Sequence, residues 1–162
     1  MARSGSGENR RRVLKDQEVE AVREKENYLF EALCGHTGAQ YNLGVMYRNG
    51  WGVPQNYGEA VRWYKLAAEP GDPDAQHDLG VMYERGDGMP QDHSEAVKWY
   101  KLAAEQENIS AQYNLGVKYE VDHGVPRDHS EAVRWYELAA ELGDVDAQER
   151  LDFLRSRGRM KK

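Results

Sequence analysis

Ala39, Ala75, Ala111 and Ala147 stand 36 residues apart. Three ungapped units lie between them: "AQYNLGVMYRNGWGVPQNYGEAVRWYKLAAEPGDPD", "AQHDLGVMYERGDGMPQDHSEAVKWYKLAAEQENIS" and "AQYNLGVKYEVDHGVPRDHSEAVRWYELAAELGDVD". The first and third agree at 24 of 36 positions. A unit this short cannot enclose a core by itself. It must bury its apolar side against the next copy, so the period predicts a solenoid that buries its core in layers.

Each unit reads as two helices. In the second, Asp72 caps the first helix, Pro73 suits its first position and Asp74 favours the positive end of its dipole. Ala75, Leu79 and Tyr83 form one apolar stripe. Gly86 or Gly88 adopts the left-handed conformation that ends a helix, and Pro90 enforces the break. Asp92 starts the second helix, with Glu95 completing a capping-box pair; Asn56 with Glu59 and Asp128 with Glu131 repeat that spacing. The second helix then buries Ala96, Trp99, Tyr100, Ala103 and Ala104.

A glycine stands inside each first helix: Gly44, Gly80 and Gly116, each after a core leucine. Glycine costs a helix about 1 kcal/mol relative to alanine. Its recurrence implies a close helix approach. The expectation is that these glycines meet the small pairs Ala67/Ala68, Ala103/Ala104 and Ala139/Ala140, while Trp63, Trp99, Trp135 and neighbouring tyrosines fill the wider parts of each layer.

The organisation that follows is a flexible segment at 1–20, a degenerate N-terminal half-unit at 21–38, units at 39–74, 75–110 and 111–146, a capping helix at 147–156 and a basic tail at 157–162. The half-unit aligns with a second helix: Tyr28 matches Tyr64 and Ala32 matches Ala68, with Asn27 in place of the tryptophan. In the capping helix Asp152 replaces the glycine. Residues 1–12 and 158–162 are expected to be disordered.

Charge and cysteine narrow the function classes. Residues 39–146 carry nine basic and nineteen acidic side chains, a net of −10. Such a body repels phosphate backbones, so no nucleic acid partner is expected. No apolar run approaches the ~18 residues of a membrane span. Cys34 is the one cysteine, which excludes an intrachain disulfide; it reads as a small buried hydrophobe at a helix end. With no signal segment in evidence, a cytoplasmic location is favoured, or a secreted or periplasmic one if a signal was removed. "DHGVPRDH" at 122–129 suggests metal ligands, but its "DH" repeats the cap at 92–93, so no metal or other cofactor is expected.

The pattern A-x-x-x-L-G-x-x-Y, G-x-G-V-P, E-A-V-x-W-Y-x-x-A-A closely resembles the Sel-one-like repeat family, a subfamily of tetratricopeptide-type helical repeats. Asp122 replaces the first loop glycine, and Glu107 replaces the junction glycine found at Gly71 and Gly143, which predicts a differently bent junction. The resemblance implies an all-α solenoid of stacked antiparallel helix pairs in a right-handed superhelix, with an adaptor role. Some cysteine-rich relatives are described as penicillin-binding or β-lactamase-like. They carry a disulfide in each unit, so a hydrolase stands only as the alternative.

The functional expectation is a non-enzymatic, monomeric module that binds a protein or peptide. In stacked helix pairs the first helices line the concave face. The positions expected there are Tyr41, His77 and Tyr113; Asn42, Asp78 and Asn114; Met46, Met82 and Lys118; and Arg48, Glu84 and Glu120. Asparagines would bond an extended backbone and methionines would adapt to varied apolar side chains.

Overall fold

In the computed structural model, residues 19, 20 and 22–159 are described, with side chains through 156. Most of the segment expected to be flexible at 1–20, and the far end of the basic tail, lie outside them. Among the described residues there are eight helices and no strand: α1 (residues 22–33), α2 (Thr37–Asn49), α3 (Tyr57–Ala68), α4 (Pro73–Arg85), α5 (His93–Ala104), α6 (Ile109–Val121), α7 (His129–Glu141) and α8 (Val145–Arg159). Each helix packs on the next, so α2–α3, α4–α5 and α6–α7 are stacked helix pairs of an all-α solenoid.

The caps form as the residue types dictate. Asp72 accepts from the Ala75 N–H at 2.9 Å with Pro73 in the first position, and Asn108 accepts from Ala111 at 2.9 Å. Asp92 accepts from the N–H groups of Ser94 and Glu95. The reciprocal half of the capping box does not form. The Asp92 N–H donates to the Tyr83 carbonyl at 2.9 Å, tying the second helix to the first, and the Glu95 carboxylate turns to Lys98. Asn56 on Tyr47 and Asp128 on Tyr119 repeat that tie.

Gly80 does not meet the alanine pair. A Cβ built there would lie 2.7 Å from Cε1 of Tyr100 and 3.2 Å from the Ala96 carbonyl oxygen. At Gly44 and Gly116 the same atom would lie 2.5 Å from the rings of Tyr64 and Tyr136. Each glycine is therefore a socket for the tyrosine of the second helix in its own unit. The three tyrosines are completely buried. Ala67, Ala103 and Ala139 instead face the next layer, where Ala75, Ala111 and Ala147 are also completely buried. Burying a ring contributes roughly 2–3 kcal/mol, more than the helix loses to the glycine.

The stripe on the first helix precesses. A spacing of four residues runs about 40° ahead of a full turn, so Tyr83 is only half-buried while Met82 is completely buried beside Leu79. Lys65 of the preceding unit lies over the Tyr83 ring, and Lys101 over Tyr119, at 5.7 and 5.6 Å. Trp99 is likewise half-buried.

Units are joined by buried hydrogen bonds. Gln40, Gln76 and Gln112 each send Nε2 back eight residues to the carbonyl of Ala32, Ala68 and Ala104, at 3.0, 3.1 and 3.2 Å. Glu107 does not bend its junction differently. It takes φ +62°, and its N–H reaches the Ala104 carbonyl as those of Gly71 and Gly143 reach Ala68 and Ala140. Asp122 similarly adopts φ +63° where Gly50 and Gly86 stand. Cys34 is exposed rather than buried, because it lies in the turn after α1 and Ala32 fills the inward position.

The socket reverses the usual sign of a glycine-to-alanine change in a helix. Helix propensity alone makes Gly80→Ala stabilising by about 1 kcal/mol. Overpacking against a buried ring makes it destabilising by about 1–2 kcal/mol net. Urea unfolding of the full chain followed by circular dichroism checks this, and the expected result is a lower midpoint with an unchanged slope.

Candidate functional site

The first helices α2, α4 and α6 carry one polar chain across three units. Tyr41 Oη donates to Asp78 Oδ2 at 3.4 Å, and Arg48 Nη1 lies 3.3 Å from Asp78 Oδ1. His77 Nδ1 lies 3.2 Å from Asp78 Oδ1, and His77 Nε2 lies 3.1 Å from Asn114 Nδ2. An amide nitrogen only donates, so Nε2 is the acceptor and the ring proton sits on Nδ1, directed at the carboxylate. The rings of Tyr41, His77 and Tyr113 rest on those of Tyr64, Tyr100 and Tyr136, with centroids 5.8, 5.8 and 5.6 Å apart. The half-open surface thus lies directly on the socketed tyrosines.

A second layer links the sockets of Tyr100 and Tyr136 to the next unit. Tyr100 Oη donates to Glu84 at 2.7 Å, and Lys118 donates to the other oxygen of that carboxylate. Tyr136 Oη donates to Glu120 at 3.0 Å, and Arg150 forms a two-pronged pair with Glu120, its Nε at 2.9 Å. Tyr64 Oη is buried beside Arg48 and Asp78 without a hydrogen bond of its own. Opposite charges therefore meet at each junction, but through different residues. Arg48 meets Asp78 and Glu120 meets Arg150, whereas Glu84 finds the neutral Asn114 at that register and takes Lys118 instead.

These contacts set the ionisation of the groups. Burial, then the Asp78 carboxylate, pushes the Tyr41 hydroxyl up to about 12. Burial also holds Tyr64, Tyr100 and Tyr136 well above the ordinary tyrosine value, reinforced by Asp78, Glu84 and Glu120 respectively. Burial opposes ionisation of Asp78 and Glu84, but hydrogen bonds from His77 and from Lys118 and Tyr100, together with the nearby cations, outweigh it and hold both carboxyls low. Arg150 does the same for Glu120.

Of the positions expected on this face, Tyr41, Asn42, Arg48, His77, Asp78, Tyr113 and Asn114 are half-buried, as are Glu84 and Glu120. Met46, Met82 and Lys118 are not on it. They are 6%, 0% and 3% exposed. The reason is periodic: each stands seven residues after the unit's alanine, two turns along the same inward stripe. Lys118 occupies a core position because Glu84 receives its charge. The buried glutamines escaped sequence reading, and the recurring "AQ" was their signal. Among the described residues, no three His, Cys, Asp or Glu side chains converge as a metal site, and no helix is long and apolar enough to cross a membrane. His93 and His123 stack on each other at 5.2 Å between successive units.

The family model described as Sel1 repeat matches residues 37–72, 73–108 and 109–144. Among solved structures, c5321, a protective antigen present in uropathogenic Escherichia coli strains and displaying an SLR fold, is 48% identical with a TM-score of 0.80; the match covers 81% of this chain and 28% of that one. A Sel1 repeat protein from Oxalobacter formigenes is 38% identical with a TM-score of 0.75, over 78% of this chain and 52% of that one. Helicobacter pylori cysteine rich protein B is 28% identical with a TM-score of 0.58, over 60% and 74%. The chain thus spans about a quarter and about half the length of the first two. Comparison with curated proteins gives no match.

The Glu84–Lys118 pair tests the inter-unit link. Removing one partner strands a buried charge, a loss of roughly 3–5 kcal/mol for a fully buried pair. Glu84 is 32% exposed, so Glu84→Gln is expected to cost about 2 kcal/mol. Adding Lys118→Met, the residue found at positions 46 and 82, is expected to restore most of it. Urea midpoints of the single and double variants measure both effects.

Proposed function

The chain belongs to the Sel1 repeat family, whose members are generally non-catalytic protein-interaction modules, and from that premise we propose that it holds a protein or peptide segment along the face of α2, α4 and α6. One observation carries the reading. The chain Tyr41–Asp78–His77–Asn114 runs across three units and is braced by internal hydrogen bonds, so its half-open aromatic and amide groups are positioned before any partner arrives. Such preorganisation lowers the entropy lost on binding.

The chemistry suits an extended segment. Asn114 donates to His77 and keeps its carbonyl oxygen for a backbone N–H. Tyr41 and Tyr113 offer flat apolar faces with few torsions to freeze. In this proposal Tyr41, Asn42, His77, Asp78, Tyr113 and Asn114 meet the partner, Arg48 and Glu84 brace the face from below, and the chain acts as an adaptor rather than as an enzyme.

Selection of a random peptide display library on the immobilised full chain tests this. The expected result is a family of enriched peptides whose affinity falls at least about tenfold, 1.4 kcal/mol, on Tyr113→Ala plus Asn114→Ala with helicity unchanged. Equal affinity for the parent and the double variant contradicts the choice of face. Enrichment of no peptide contradicts peptide binding.

A further inference from the structure

The N-terminal end of the array differs from its interior. α1 packs on α2 as the second helices pack on their successors, through Ala32, Ala39 and Leu43, and no first helix of its own unit precedes it among the described residues. The counterparts of Asn42 in later units, Asp78 and Asn114, are each touched by the preceding first helix, through Tyr41 and Arg48 or through His77. The space beside Asn42 is instead open. It forms a cleft of about 200 Å³ lined by Glu24, Tyr28, Asn42, Val45, Met46 and Trp51. Drug-sized and cofactor pockets run to roughly 300–1,000 Å³, so this one has room for the end of one side chain.

Its walls are unlike those of any other unit. Trp51 is 62% exposed, at a position where the second and third units carry Asp87 and His123. Its backbone is held as theirs is: the Trp51 N–H donates to the Met46 carbonyl at 3.0 Å, after Gly50 in the left-handed conformation. A large ring is thus mounted on a fixed turn at the surface. Tyr28 corresponds to the socketed tyrosines, yet it remains half-buried and forms a second aromatic wall. Glu24 lies one turn before Tyr28 on the same face of α1, and its carboxylate makes no hydrogen bond or ion pair to another described side chain. Helical spacing turns its sequence neighbours Arg23 and Lys25 about 100° to either side.

The aromatic and acidic walls favour a cation. Indole and phenol faces attract positive charge, most strongly when it is partly desolvated. The Glu24 carboxylate supplies a counter-charge. Val45 and Met46 add apolar contact for the methylene stem that carries a side-chain cation. The cation in that stretch of α2, Arg48, is committed to Asp78.

We propose that this cleft is a cation cage that receives the charged end of a lysine or arginine side chain from a protein partner. The net charge of −10 over residues 39–146 attracts such a basic segment toward it. The assignment rests on the interaction-module reading for the partner's identity as a protein, but the cage itself does not. It is therefore tested with small cations that need no partner and do not depend on the tyrosine–asparagine face.

The experiment follows the Trp51 indole N–H in nitrogen-15 correlation spectra of the full chain. It is titrated with tetramethylammonium, with N-acetyl-lysine methylamide, and with neopentyl alcohol as the uncharged shape control. Both cations are expected to shift the Trp51 resonance saturably, and the alcohol to bind at least about tenfold more weakly. Glu24→Gln is expected to weaken the cations about tenfold. Trp51→Leu removes the probe's own signal, so its loss of binding is read from the Asn42 side-chain amide. Equal binding of the alcohol, unaltered binding by Trp51→Leu, or no shift with any cation overturns the proposal. Tighter cation binding after Arg10→Ser, Arg11→Ser and Arg12→Ser also overturns it, because the chain's own basic segment would then be the occupant. Cation failure together with selected peptides that still bind the α2–α4–α6 face sinks the cage alone.

Discussion

The socket between a glycine in each first helix and a tyrosine in each second helix is the contact on which the architecture depends. It sets how close the two helices of a unit come, because no side chain separates the backbone at Gly44, Gly80 or Gly116 from the ring. It also carries the binding face. The half-open rings of Tyr41, His77 and Tyr113 rest on the socketed tyrosines, and the socketed hydroxyls of Tyr100 and Tyr136 hold the carboxylates that reach into the following unit. A residue that is a poor helix former thereby places both the core and the surface above it.

Stacking between units uses a different set of contacts. Alanine against alanine lets successive layers approach, and a buried glutamine bonds to the last carbonyls of the preceding helix. The charged contacts differ from junction to junction: Arg48 with Asp78, Glu84 with Lys118, Glu120 with Arg150. Copies that share most of their residues are thus not interchangeable. Exchanging neighbouring units would put like charges or an unpaired buried lysine at an interface, which favours the native order over slipped pairings. At the C-terminal end, Asp152 stands where a socket glycine would be and accepts from Gln148. The socket motif stops at that helix.

Much of this was legible from residue types. The helices, the Asp and Asn caps, the left-handed turns and the tyrosine-rich core follow from periodicity and from what aspartate, proline and glycine do locally. Partner identity across the interface was not legible. Periodicity says which side of a helix turns inward, but not which opposite residue it meets, so Gly80 was matched to the alanine pair rather than to Tyr100. Lys118 shows the same gap. Its charge marks it as a surface residue until the fold brings Glu84, 34 positions earlier, against its ammonium group. Glu107 misled for a local reason: glutamate in the left-handed region is unfavourable, yet two junction hydrogen bonds, from Glu107 and Asn108 to Ala104 and Ala103, hold it there. The cleft at Trp51 was not legible because the repeat places α1 on α2 but does not say that Glu24 and Tyr28 come to face Trp51.

A double-mutant cycle between Gly80 and Tyr100 measures the socket most directly. Gly80→Ala is introduced into the parent and into a Tyr100→Leu background, and stability is read from urea unfolding of all four chains. If the ring is what the glycine accommodates, the alanine is harmful in the parent and neutral or favourable once the ring is gone, a coupling of about 1–3 kcal/mol. An equal cost of Gly80→Ala in both backgrounds would contradict the account.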